Sequence, residues 1–137
     1  MSTIPNARNT QDALLEKKVA VPAAGGNAVT ASIDLEGENL TALDSVEAEI
    51  FADAMPSLAA GQSVTAKIEA SPDNVTFKPI DQLAPAVITG GTGVGAGAFS
   101  QRYRFPFKTA RFIRASIAVS ATAGNNTAAS IGFRLLT

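Results

Sequence analysis

From Val19 onward, hydrophobic side chains recur at every second position. Val19 and Val21 open the alternation, and Val29, Ala31, Ile33 and Leu35 continue it with Thr30, Ser32 and Asp34 between them. The Ala-Ala-Gly-Gly-Asn stretch at 23–27 separates these runs as a turn. Val46, Ala48 and Ile50 then alternate with Glu47 and Glu49. A period of two puts one set of side chains on each face of an extended chain, so each run predicts a strand with one apolar face.

Two hairpins are predicted. In the first, Val64, Ala66, Ile68 and Ala70 alternate with Thr65, Lys67 and Glu69. Ser71-Pro72-Asp73-Asn74 supplies the turn, and Val75-Thr76-Phe77 returns, with Pro79 ending the strand or marking a sheet edge. In the second, Ile113, Ala115, Ile117 and Val119 form one arm, Gly124-Asn125-Asn126 lie near the reversal, and Ala129, Ile131, Phe133 and Leu135 form the other. Before it, Phe99, Tyr103, Phe105 and Phe107 share one parity, while Arg102 and Arg104 take the other.

About eight strand-length runs spaced by Gly, Pro and Asn turns predict an all-β fold, an antiparallel β-sandwich of jelly-roll type. Residues 1–15 are predicted as an irregular N-terminal arm and 16–137 as the single sandwich domain. The one helix-like stretch, Thr10 to Lys18, is long enough for one or two turns. Residues 84–98 carry five of the eleven glycines and break the alternation. They are predicted as a long loop that, like the arm, becomes ordered against a neighbour.

Composition narrows the chemistry. The 137 residues suffice for one core. Hydrophobic residues make up 46% and charged residues 17%. The N-terminus has no signal-peptide pattern and no 18-residue apolar run occurs, so neither secretion nor a membrane helix is predicted. The net charge is only −1, yet seven acids and no base lie between Asp34 and Asp53, and six bases and no acid follow Gln82. Two arrangements fit: acidic and basic strands paired side by side, or a bipolar surface that docks onto an oppositely charged partner. The bases come without a strong net positive charge, so no nucleic-acid partner is predicted.

There is no histidine and no cysteine, which excludes Ser-His-Asp and Cys-His catalysis and thiolate metal sites. No catalytic residue, cofactor or metal is predicted. Asp34, Glu36 and Glu38 alternate in Asp-Leu-Glu-Gly-Glu, which can gather round a calcium ion but matches no EF-hand spacing; a strand entering a charged turn accounts for it equally. Gly91-Thr-Gly-Val-Gly-Ala96 has dinucleotide-fingerprint spacing but leads into a strand rather than a helix, so no phosphate site is predicted. The run Tyr103 to Phe112 interleaves aromatic and basic residues, with Phe105 and Phe107 on the core parity. If its outer side is an interface, Arg102, Arg104, Lys108 and Arg111 are the candidates, because guanidinium groups bind carboxylates bidentately. Glu47 and Glu49 complete the candidate set.

Three segments carry a resemblance. Ser63-Val-Thr-Ala-Lys-Ile-Glu-Ala-Ser71-Pro-Asp73-Asn-Val-Thr76-Phe77 resembles the strand, Ser-x-Asp-Gly-x-x-Phe turn and strand of β-sandwich structural proteins of tailed bacteriophages, with Asn74 in place of Gly. Ala110-Arg-Phe-Ile-Arg-Ala-Ser-Ile-Ala-Val-Ser120 is similar to their strand before a Gly/Asn turn. Ala31-Ser-Ile-Asp-Leu-Glu-Gly37 is similar to their entry into the first long strand, with Glu36 inserted. Together the chain resembles a capsid cement, or decoration, protein of the jelly-roll type. The resemblance implies a non-enzymatic role on the virion exterior, a dimer or trimer bridging neighbouring major capsid protein subunits. Alternatives from the same residues are another virion part (tail, head-completion or fibre domain) and a carbohydrate- or host-surface-binding module. The absence of Trp and the single Tyr weigh against a sugar platform.

Overall fold

The computed structural model describes residues 11–36, 46–106 and 109–136. Among them lie ten strands and no helix: β1 (Gln11–Ala20), β2 (Asn27–Val29), β3 (Ile33–Asp34), β4 (Glu47–Ala52), β5 (Ser63–Ser71), β6 (Lys78–Pro79), β7 (Ala86–Thr89), β8 (Phe99–Arg104), β9 (Phe112–Val119) and β10 (Ser130–Leu136). They form two antiparallel sheets. Sheet A has the order β1-β10-β4-β8, and sheet B has β2-β9-β5-β6, with β3 also on β9 and β7 also on β5.

Both outer strands of sheet B are interrupted. β2 and β3 pair successively along β9, and β6 and β7 along β5. At the first break Thr30 keeps the ladder whole. Its N–H donates to the Ala115 carbonyl at 2.9 Å, and its hydroxyl accepts the Ala115 N–H at 3.0 Å. At the second, the Ile80 N–H still reaches the Ile68 carbonyl at 3.0 Å. With each interrupted pair taken as one strand, eight strands remain, paired first with last, second with seventh, third with sixth and fourth with fifth. One long hairpin rolled into two layers gives that nesting, which is the jelly roll.

The alternation is what closes the layers. Ala48, Ile50, Ile131, Phe133 and Leu135 of sheet A face Val64, Ala66, Ile68, Ile113, Ala115 and Ile117 of sheet B, and all are 3% exposed or less. Each fully buried Ile or Phe contributes about 1.5–3 kcal/mol of hydrophobic stabilisation. Tyr103 lies in the core, and Phe99 and Phe105 pack against it, as their parity predicts.

Four local expectations are corrected. The helix-like stretch at 10–18 is strand β1 from Gln11 onward, so the backbone is already extended within the segment expected to be irregular. Residues 84–98 are ordered within the chain: Ala86–Thr89 is β7, and Gly90, Gly91 and Ala96 form isolated bridges to Ala60, Gly95 and Met55. Gly95 carries a φ of +65°, and a Cβ there would lie 2.3 Å from the Met55 carbonyl oxygen; the glycines admit a close backbone crossing, not mobility. The chain from 112 to 136 is no hairpin. β9 belongs to sheet B and β10 to sheet A, so the connection arches over the core. Finally, the return after Ser71 is Lys78–Pro79 rather than 75–77, and Pro79 lies on the sheet edge.

The turn itself follows its residues. The Asp73 Oδ1 accepts the N–H of Thr76 at 3.0 Å, the N–H of Val75 at 2.9 Å and the Ser71 hydroxyl at 2.8 Å, and Asn74 takes a φ of 61°. The Thr76 N–H first, then the Ser71 hydroxyl and the Val75 N–H, lower the Asp73 pKa from 3.8 to about 2. A lowered native pKa means that the unfolded chain takes up the proton more readily. The stabilisation is therefore complete above pH 3.8 and is lost as the pH falls toward about 2. Across that window, melting temperatures should fall less for Asp73→Asn than for the native sequence. Parallel acid limbs for the two proteins would show that this carboxylate is not held by its turn.

Candidate interaction surfaces

With both inner faces consumed by one core, any work falls to the outer faces and the loop ends. On the outside of sheet A, the strand register sets four charges in one row. Glu16 stands opposite Arg134, Arg134 opposite Glu49, and Glu49 opposite Arg102. Arg134 Nε donates to Glu49 Oε1 at 2.7 Å and its Nη1 reaches Glu16 Oε1 at 3.5 Å, while Arg102 Nε lies 3.4 Å from Glu49 Oε2. The Arg134 guanidinium also sits 4.1 Å from the centre of the Phe51 ring. In the adjoining row Glu47 faces Arg104 at 3.9 Å. Of the two arrangements the charge asymmetry allowed, acids and bases side by side is the one formed.

Arg102, Arg104, Glu47 and Glu49 thus share one face, as the strand parity predicts. Arg111 does not join them. It precedes β9 on sheet B, where it clamps Asp34 through two 2.8 Å hydrogen bonds and lies 3.3 Å from Glu36. The hydrogen bonds to Asp34 push its pKa above the ordinary value. The alternating acids at 34 and 36 serve this ion pair, and no three metal-ligating side chains converge among the described residues. Glu38 and Lys108 lie outside the described residues. Arg114 pairs with Glu69 at 2.9 Å and stacks 3.9 Å from the Phe77 ring.

The middle of the outer face of sheet B is different in kind. One row is Asn27, Ala118, Thr65 and Val87; the next is Val29, Ser116 and Lys67. Lys67 is the only charged residue in these two rows, and Val29 and Val87 are about half exposed. Alternation marks these positions as outward but cannot say that they fall together, because that depends on the order of strands.

A third feature lies among loops. The segment following β4 and the arch between β9 and β10 enclose a half-open cleft of about 160 Å³ lined by Asp53, Met55, Pro56, Asn126 and Ala128, among others. Its walls are tied together by backbone bonds from Asp53 N–H to the Ser130 carbonyl at 2.9 Å and from Ala59 N–H to the Ala123 carbonyl at 3.0 Å. Asp53 Oδ2 accepts the Ser130 N–H at 3.0 Å. Asn126 is only 4% exposed, and its Nδ2 donates to the Ala123 carbonyl at 3.2 Å, but its Oδ1 has no partner. The Gly-Asn-Asn triplet signalled only a turn in the sequence.

No protein-family model matches the chain, and no curated protein matches it. Among solved structures, the PBSX exported protein XepA is similar over 99% of this chain at 12% identity with a TM-score of 0.55; the chain spans 39% of that protein's length. The CBM27-1 module of Caldicellulosiruptor saccharolyticus, solved with mannohexaose, is similar over 99% of this chain and 87% of its own at 11% identity and a TM-score of 0.48. Desmodium yellow mottle tymovirus gives 99%, 93%, 10% and 0.43. Scores below one half carry no functional argument, and the first likeness establishes the architecture alone: the chain is a two-sheet β-sandwich.

Proposed function

We propose that this chain is a non-enzymatic virion structural protein, a capsid cement protein that binds the outer surface of a phage shell as a dimer or trimer and bridges neighbouring major capsid subunits. The observation that carries the proposal is the jelly roll itself, whose inner faces are wholly taken by the core and whose chemistry is confined to outer faces. The resemblance of the 63–77 turn, the 110–120 strand and the 31–37 entry to phage β-sandwich proteins supports it. So does the chemistry: no histidine or cysteine is present, and Asp34, Glu36, Glu47, Glu49 and Glu69 are engaged by arginines. The outer face of sheet A, with Arg102, Arg104, Glu47 and Glu49, is the proposed shell-facing surface, because exposed charges of both signs give register and specificity in docking.

The test is stoichiometric. Purified protein is mixed with expanded, undecorated shells of its virus, and bound copies are counted by quantitative gel analysis and image reconstruction. On the order of hundreds of copies per icosahedral shell is the expected result. About a dozen or fewer would instead indicate a vertex or tail component, and no binding would end the shell proposal.

A further inference from the structure

We infer that the two outer strands of sheet A, β8 and β1, pair with each other between copies of this chain, so that the domain associates head to tail through a shared antiparallel sheet. The inference does not rest on the shell-docking proposal, and its test needs no shell.

The edges of the two sheets are built differently. In sheet B both outer strands are broken, into β2 with β3 and β6 with β7, and short interrupted edges resist pairing with another chain. Sheet A ends instead on β8, of six residues, and β1, of ten. Each is hydrogen-bonded along one side, to β4 and to β10 respectively, and no further backbone hydrogen bond reaches either strand among the described residues. An edge of this kind offers a row of N–H and C=O groups to an incoming strand.

Charge names the strand that fits. The row Glu16, Arg134, Glu49 and Arg102 alternates in sign across the whole sheet, ending negative at β1 and positive at β8. The two end groups can each take another partner: the Arg102 side chain is 54% exposed, and Glu16 reaches Arg134 only at 3.5 Å. Setting β1 of a second copy beside β8, with Glu16 opposite Arg102, continues the alternation without a break. Strand direction agrees. Neighbours from β8 through β4 and β10 to β1 are all antiparallel, so a copy laid alongside in the same orientation presents its β1 antiparallel to β8.

That register also matches the other positions. Ser100 falls opposite Lys18, Gln101 opposite Lys17, and Phe99 opposite Val19, the last two being hydrophobic residues only partly buried at their own edges. Two β8 strands paired about a twofold axis would instead bring the Arg102 guanidiniums of both copies together, which repels. Because β8 and β1 are different surfaces, two copies leave one of each open. Growth continues until a ring closes or a filament forms.

The test uses the purified full chain. Sedimentation velocity from micromolar to millimolar protein should show association that rises with concentration and passes two copies. Arg102→Glu turns an attractive pair into a repulsive one and should weaken the association by about tenfold. An equal mixture of Arg102→Glu and Glu16→Lys proteins, both checked for folding by circular dichroism, should recover it, because each variant then meets its complement. The chain has no cysteine, so register can be read without the charge changes. Ser100→Cys and Lys18→Cys, both at exposed positions, should form a disulfide-linked pair when mixed under mild oxidation, and far less when either is alone. A monomer at every concentration up to about 1 mM overturns the inference. So does a species that stops at two copies, or a mixture of the cysteine variants that links no better than either by itself.

Discussion

Replacing Gly132 with alanine should destabilise the domain by about 3 kcal/mol, although alanine is normally the better residue inside a strand. Gly132 sits mid-way along β10, opposite Lys18 of β1 on one side and Phe51 of β4 on the other. A Cβ at this position would lie 2.1 Å from the Lys17 carbonyl oxygen and 2.6 Å from the Lys18 Cα. Both are backbone atoms held by the ladder, so no side-chain rotation relieves the overlap. Relief requires β1 to shift away from β10, which withdraws Leu15 and Val19 from the core and Glu16 from its arginine. Gly97 provides the control: nothing lies within 4 Å of a Cβ there, and Gly97→Ala should change stability by less than about 0.5 kcal/mol. Urea unfolding of the two variants reads the difference. A midpoint for Gly132→Ala equal to or above that of the native chain would mean that β1 and β10 do not approach as closely as described.

The same residue shows where sequence patterning stops. Ile131 and Phe133 announce a strand with an inward face, and both are fully buried. The glycine between them is a weak sign of close backbone approach, and nothing local names the strand that approaches. Pairing partners lie far apart in the chain, as Glu16 and Arg134 do, so they are fixed by the roll of the whole hairpin. For the same reason alternation described 112–136 as two apolar faces but not as an arch between sheets. A hairpin and an arch bury those faces equally well. The candidate surface was legible at the level of parity. Glu47, Glu49, Arg102 and Arg104 all point outward as their spacing requires, and they are adjacent because β4 pairs with β8. Arg111 has the same composition signal and a different address, since only the topology separates sheet A from sheet B. The cleft was illegible. It is assembled from two loops whose residues, Asp53 and Asn126, are ordinary turn formers until Asp53 is seen holding the Ser130 N–H and Asn126 the Ala123 carbonyl across the chain reversal.

The row Glu16, Arg134, Glu49 and Arg102 should behave as one unit with a graded response to substitution. Glu49 is its hub, with a side chain 13% exposed and both oxygens engaged; the side chain of Arg134 is 18% exposed. Removing the carboxylate by Glu49→Ala leaves a partly buried guanidinium with the 3.5 Å contact to Glu16 and the Phe51 ring, at a cost of about 1–3 kcal/mol. Arg134→Met keeps an apolar stem over Phe51 and removes the charge, so it should cost less than the Glu49 change. The double variant should fall short of the sum of the singles by more than about 0.5 kcal/mol, which a double-mutant cycle in urea measures. Additivity would mean that the four charges are neighbours without energetic coupling. At the margin, Arg104 is 85% exposed and 3.9 Å from Glu47, so Arg104→Glu should move stability by less than about 0.5 kcal/mol. That contrast makes Arg104 the clean probe of the proposed shell-facing surface. Its reversal should weaken shell binding and steepen the loss with salt while the fold stays intact, whereas Glu49 variants confound docking with stability. Unaltered shell binding by Arg104→Glu would move the docking surface away from this face and leave the weakly charged face of sheet B, with Val29 and Val87 at its borders, as the one to test next.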